Sequence, residues 1–348
     1  MHRLSALLSI AAALPLLAQL PPAPVQERIV VERVLVDARV VTGTGDPITG
    51  LGVANFHVLI DGKTAVVESV DWIPETAAER ELADVDRPPV EVNRTLDVAP
   101  PRGRLLVYFF QTDVAREGSR LVGQMQMNQQ IDGLLSFLEP EDRVAVLSFD
   151  SHLKLRSDFT DDKHRLHGAM EEALLTNEPN APPMVPSPSI AKRLDRTEML
   201  QAGKSETALI LIANALRPIP GPKSLVFIGW GLGRMSQGGW RMEMNYPYAR
   251  TALEAARVSV FTLDVTQADS HTLEVGLGVV SGDTGGSYQK TFHFPKLAIQ
   301  RLQHTLAGHY ELEVRKPDTK VRGRHSIEVT VDRRGADVLA RSSYVDKE

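Results

Sequence analysis

Four largely apolar runs, each about as long as a β-strand, constrain the fold of this chain more than any other feature. They cover residues 105–110, 144–149, 223–228 and 258–263, and segments with helical spacing separate them. A strand that is covered on both faces needs apolar residues at successive positions. Strands that alternate with helices pair in parallel, with the helices on both faces of the sheet. The pattern therefore predicts an α/β fold built on a doubly wound, mostly parallel sheet.

The two ends of the chain have a different, β-type pattern. Strand-like segments fall within residues 29–72 and again within 309–345. Asp61-Gly62 lies between two such segments, and this pair supplies the positive φ angles of a two-residue hairpin turn. A few strands alone bury little core. We therefore expect residues 27–75 and 308–348 to complete one antiparallel β-sandwich, with the α/β domain inserted at 104–307 and a proline-rich linker at 76–103.

The first 24 residues have the pattern of a secretory signal peptide. Arg3 precedes an apolar stretch at 4–18, which is too short to span a bilayer core of about 30 Å comfortably. We expect a secreted or periplasmic protein with no membrane span in the mature chain. Lys plus Arg is 39 and Asp plus Glu is 44, a net charge of −5, which argues against a nucleic-acid partner. The absence of cysteine excludes disulfides, thiol nucleophiles and cysteine-ligated metals.

Two short motifs suggest chemistry. The glycines of residues 229–233 follow a strand as in a dinucleotide-binding loop, but Arg234 stands where the third glycine of that motif belongs, so a tight turn is the better interpretation. Ser189 lies one helical turn before Lys192, the spacing with which a lysine activates a serine in penicillin-binding enzymes. A periplasmic serine hydrolase that uses Ser189 and Lys192 is therefore the enzymatic alternative.

The order of several sequence stretches resembles that of von Willebrand factor type A domains, and more closely the VWFA-related acidobacterial family of secreted bacterial proteins. The stretches are residues 46–51 (DPITGL), 142–149 (DRVAVLSF), 159–162 (FTDD) and 284–286 (TGG). The resemblance covers nearly all of the mature chain. It implies a non-enzymatic module that binds ligands at the carboxyl ends of the parallel strands.

The resemblance also implies a metal-ion-dependent adhesion site, from which this chain departs. The family pattern has an Asp at the end of the first strand, two hydroxyls shortly after it, a Thr from a second loop and an Asp from a third. Gln111 takes the Asp position if the strand ends at Phe110, and Asp113 takes it if the strand ends at Thr112. Thr207 fits the second loop, but residues 229–231 offer no carboxylate. We expect a degenerate site, with Asp113 and Thr207 as the metal ligands if Mg²⁺ or Mn²⁺ binds, and no other cofactor.

These observations favour an exported protein-binding or adhesion module whose partner is a protein or a component of the matrix or envelope. A structural envelope component without a working ligand site is a further alternative. The loop at 229–248 is rich in residue types that are common at interfaces. The predicted ligand-binding residues are Gln111, Asp113, Ser205, Thr207, Trp230, Trp240 and Tyr246.

Overall fold

The strands of the described part of the chain form two large sheets and one short hairpin. The computed structural model describes residues 32–77, 79–80, 103–112, 115, 117–175, 177–180, 185, 188–317 and 322–346. The expected signal peptide, most of the expected linker and Asp113 lie outside these residues. The strands are β1 Arg33–Val41, β2 Phe56–Ile60, β3 Lys63–Pro74, β4 Leu105–Gln111, β5 Arg143–Phe149, β6 Leu153–Thr160, β7 Lys223–Gly229, β8 Arg234–Ser236, β9 Gly239–Arg241, β10 Val258–Asp264, β11 Tyr288–Lys290, β12 Gly308–Arg315, β13 Arg324–Val331, β14 Asp337–Ala340 and β15 Ser343–Val345.

The helices lie mainly between the strands of the α/β part. Asp162 caps the third of them by accepting hydrogen bonds from the first-turn amides of His164 and Arg165. No helix in the described ranges has the length and apolar character needed to cross a bilayer. The helices are α1 Gly118–Asn128, α2 Ile131–Ser136, α3 Lys163–Ala173, α4 Arg196–Gln201, α5 Ser205–Leu216, α6 Tyr246–Ala255, α7 Glu274–Thr284 and α8 Pro295–Thr305.

The central sheet has the strand order β11-β10-β7-β4-β5-β6, and all its strands are parallel except β6. Successive side chains of β4 enter opposite cores: Phe109 packs with α5, α6 and α7 on one face, and Tyr108 packs with α1, α2, α3 and α8 on the other. Burial on both faces explains why the strand sequences are continuously apolar. The α/β class and the mostly parallel sheet are confirmed.

The terminal segments interleave in one seven-stranded antiparallel sheet of order β14-β1-β12-β3-β2-β13-β15. The predicted hairpin is present, because Ile60 pairs with Lys63 and both Asp61 and Gly62 have positive φ. The expected sandwich is only partly correct. The strands form a single hydrogen-bonded sheet in which β14, at one edge, reaches back to β13 near the other. This curl encloses a core of alternating inward residues such as Val36, Val58 and Leu312.

Charged side chains join the curled sheet to the base of the central sheet. Arg257, at the start of β10, donates hydrogen bonds to Asp37 of β1 and to Glu311 of β12. Arg39 pairs with Glu75 at 3.4 Å, and both side chains are almost fully buried. Burial alone would raise the pKa of Glu75, but the positive charge of Arg39 and the contact with His309 lower it to about 2. Glu75 therefore stays ionised and fixes the end of β3.

Candidate functional site

The carboxyl ends of the parallel strands form a rim, which is where ligands bind in open α/β sheets. Three strands end there side by side, β4 at Gln111, β7 at Gly229 and β10 at Asp264. Helix α5 begins at the same rim with Ser205, whose hydroxyl contacts Gln111. The rim therefore brings together Gln111, Ser205 and the 229–233 loop, as the sequence predicts.

The amide of Gln111 links the elements of this rim by four hydrogen bonds. Its Nε2 donates to Ser205 Oγ at 3.0 Å and to the carbonyl of Gly231 at 2.8 Å. Its Oε1 accepts from the backbone N–H of Trp230 at 3.0 Å and of Gly231 at 3.2 Å. The residue is only 5% exposed. The amide thus holds α5 and the 229–233 loop against the end of β4.

Close packing explains two glycines, one at the end of β7 and one in the loop that follows. A Cβ on Gly229 would lie 2.7 Å from Gln111 Oε1. Gly233 has a φ of +82°, and a Cβ there would lie 2.6 Å from the carbonyl oxygen of Arg241. Close packing of the loop therefore accounts for these glycines, as the tight-turn interpretation proposes, without a nucleotide.

Two further side chains of α5 fix the loops above the rim. Thr207 Oγ1 accepts a hydrogen bond from Asn245 Nδ2 at 2.5 Å. Glu206 is buried, and its Oε1 accepts from the N–H of Gly233 at 2.8 Å. Burial raises the pKa of Glu206. Sequence reasoning misses Glu206; its place between Ser205 and Thr207 in the first turn of α5 is the signal that could have found it.

The described residues at the position of the family metal site do not fit a resident divalent cation. Mg²⁺ and Mn²⁺ need several oxygen ligands. Gln111 directs its N–H groups at Ser205 and Gly231 and uses its carbonyl oxygen for two backbone amides. The Thr207 hydroxyl already accepts the Asn245 amide. Hydrogen bonds therefore hold together the loops that a metal would otherwise bridge.

Three of the aromatic residues in the 229–248 loop, Trp230, Trp240 and Tyr246, are less available than the sequence suggests. Tyr246 belongs to the core and its hydroxyl donates to Asp283, so its assignment as a contact residue is corrected. Trp240 is half-buried and its indole N–H donates to the carbonyl of Leu232 at 3.0 Å. The Arg120 guanidinium lies 3.9 Å from the ring centroid of Trp230. Hydrophobic periodicity could not show these contacts, because the partners Asp283 of Tyr246 and Arg120 of Trp230 lie far away in the sequence.

Three other large side chains within residues 229–248 are exposed. Met244 is 85% exposed, Tyr248 is 71% exposed and Met235 is 57% exposed. Met235 lies on β8, Met244 lies shortly before α6, and Tyr248 lies in the first turn of α6. Large apolar side chains with such exposure, on a segment held at its base, are available to a partner. The structure thus shifts the candidate contact surface from Trp240 and Tyr246 to Met235, Met244 and Tyr248.

The proposed nucleophile Ser189 is fully buried. Its hydroxyl donates to Asp158 Oδ2 at 2.6 Å and accepts from the backbone N–H of Lys192 at 3.3 Å. Asp158 also accepts from the N–H of Ile190, so the serine anchors residues 188–193 to β6. A buried hydroxyl in this arrangement is not placed to attack a substrate, and this observation speaks against the enzymatic alternative.

Comparison with known proteins finds likeness in structure only. No family profile and no curated protein sequence matches the chain. Similar solved structures include von Willebrand factor type A from Catenulispora acidiphila, with 7% identity and a TM-score of 0.40 over 90% of this chain and 74% of that chain. BatB from Bacteroides thetaiotaomicron has 14% identity and a TM-score of 0.35 over 58% and 98%.

The human COPII-coat protein Sec24c has 12% identity and a TM-score of 0.38 over 69% of this chain. This chain spans only 43% of the length of Sec24c. Likenesses at this level concern the arrangement of strands and helices and say nothing about what the chain binds.

Proposed function

We propose that this chain is an exported, non-enzymatic protein-binding module of the von Willebrand A type that captures its partner without a metal. The observation that carries the proposal is the exposure of Met235, Met244 and Tyr248 within the segment 229–248, which follows β7 at the carboxyl rim. Methionine and tyrosine are enriched in protein interfaces. The partner that fits such a surface is a protein or a proteinaceous component of the envelope or matrix.

The base of the loop is held in place before binding. Gln111 fixes residues 230 and 231, Glu206 fixes Gly233, and Thr207 accepts from Asn245. Ordering a flexible loop costs part of the binding free energy, so a loop that is already ordered binds more tightly for the same contacts. The hydrogen bonds at the metal position thus support the binding surface directly.

The experiment compares capture of envelope proteins by three immobilised chains. They are the wild type, the double variant Met244→Ser with Tyr248→Ser, and the control Val66→Ser. Val66 is 55% exposed, but it lies on β3 of the seven-stranded sheet. We expect a protein that is retained by the wild type and the control, with and without EDTA, and is lost from the double variant.

Equal retention by all three chains would contradict the proposed surface, and loss on addition of EDTA would contradict metal independence. Circular dichroism of each chain separates loss of binding from loss of folding. Because the substituted side chains are exposed, we expect all three spectra to be the same.

A further inference from the structure

A second group of polar side chains lies at the end of β10, which β7 separates from β4 and Gln111. Asp264 ends β10, and its carboxylate Oδ2 lies 2.8 Å from His271 Nε2. Glu274 begins α7, and its Oε2 accepts from the backbone N–H of His271 at 3.1 Å. One ligand atom from each of these three residues lies within 4.8 Å of the others. The loop between β10 and α7 therefore brings an imidazole and two carboxylates to one point.

The surroundings of this group already hold one cation. The Lys290 ammonium lies 2.8 Å from Glu274 Oε2. The Tyr288 hydroxyl donates to Asp264 Oδ2 at 2.9 Å. The carboxylates of this group therefore attract positive charge. The Lys290 ammonium supplies part of the charge that a metal ion would supply.

A buried hydroxyl beside the group is left without a partner. Thr266 is 5% exposed, and its Oγ1 makes no hydrogen bond within the described residues. The backbone N–H of the same residue donates to Asp264 Oδ1 at 2.9 Å, so Thr266 lies against the group. A buried hydroxyl that lacks a partner usually marks a place where a water or an ion belongs.

The ligand types of Asp264, His271 and Glu274 indicate which metal ion would bind. Mg²⁺ and Ca²⁺ prefer oxygen ligands alone, whereas Zn²⁺ binds the nitrogen of histidine together with carboxylate oxygens. Asp264 is almost completely buried, while His271 and Glu274 are partly exposed. An ion can therefore enter from the solvent side, past His271 and Glu274, and reach the Asp264 carboxylate at the carboxyl end of β10.

We propose that Asp264, His271 and Glu274 bind Zn²⁺, with Lys290 displaced when the ion enters. The proton that His271 Nε2 shares with Asp264 leaves to solvent, with Nδ1 carrying the ring's remaining proton, and the freed Nε2 lone pair ligates the ion while both carboxylates supply oxygen. This site is separate from the Gln111 position and does not depend on the proposed protein-binding function.

Isothermal titration of Zn²⁺ into the purified chain tests the proposal. The wild type is expected to bind one ion. His271→Ala and Glu274→Gln are each expected to weaken binding at least about tenfold, because even the loss of a group that only orients a metal ligand costs about 10–100-fold. His57→Ala is the matched control. His57 also pairs with an aspartate, Asp332, at 2.7 Å, but it belongs to no such three-residue group in the described chain.

Lys290→Met distinguishes a metal site from a purely structural network. If Zn²⁺ and the ammonium compete, the variant binds Zn²⁺ more tightly than the wild type does. The melting temperature of the wild type should rise with Zn²⁺, and that of His271→Ala should not. Absence of stoichiometric binding to the wild type, or equal loss in His57→Ala, would overturn the proposal.

Discussion

Replacing Gln111 with alanine should destabilise the protein much more than the same replacement at Gln124. Both glutamines are 5% exposed, so the two substitutions remove the same side chain at the same burial. Gln111 makes four side-chain hydrogen bonds, whereas Gln124 makes one, to the carbonyl of Gln111. At a net value of about 1 kcal/mol for each hydrogen bond, the polar loss is about 4 kcal/mol against about 1 kcal/mol.

The difference of about 3 kcal/mol isolates the hydrogen bonds, because the cost of the cavity is similar in both variants. Urea unfolding of the two variants and the wild type, followed by circular dichroism, measures it directly. If both variants lose the same stability, the amide of Gln111 does not hold the rim together and the argument for a loop fixed without metal fails.

Three further results are expected. Glu75→Gln removes the negative charge beside the buried Arg39 and should cost about 3 kcal/mol in urea unfolding at pH 7. Because folding lowers the pKa of Glu75 from 4.5 to about 2, its contribution in the wild type is present above about pH 4.5 and is lost as the pH falls towards 2. Gly123→Ala places a Cβ 1.5 Å from the carbonyl oxygen of Val265 and should destabilise the protein by about 1–3 kcal/mol or more. Gly168→Ala in α3 meets open space and should stabilise the protein slightly. Thermal melts compare the two variants, and equal shifts in melting temperature would refute the packing of α1. Calorimetric titration with Mg²⁺ should give no saturable heat in the wild type or in Thr207→Ala, and heat that Thr207→Ala abolishes would show that a metal binds there.

The features that the sequence predicts correctly are those that neighbouring residues determine. The Asp61-Gly62 turn needs only its own two φ angles and the strands beside it. The apolar runs predict the central strands because double burial affects every position of a strand. The register and curl of the seven-stranded sheet depend on pairings between residues hundreds of positions apart, such as Ala38 with Tyr310, and no local pattern contains them.

In the candidate site, too, contacts between residues far apart in the sequence could not be predicted. The sequence places Gln111 at the rim because it takes the Asp position that the family resemblance implies if β4 ends at Phe110. Its partners Ser205 and Gly231 are 94 and 120 positions away, so its role in holding the loops leaves no local signal. The sequence misplaces Tyr246 because its burial at the start of α6 and its hydrogen bond to Asp283, 37 positions away, depend on tertiary packing. Asp264 and His271 are only 7 positions apart, yet their contact depends on how the loop after β10 folds back towards the end of that strand.

The interleaving of the terminal strands has a consequence for the order of events during synthesis. Both neighbours of β1 in its sheet, β12 and β14, come from the last part of the chain. A nascent chain that has reached α8 can form the central sheet, but β1 must wait for residues 308–340 before it has any partner strand. Pairing over such a separation is slow because a long loop must close first. Ribosome-bound intermediates should therefore expose β1–β3 to proteases until residues 308–340 have emerged.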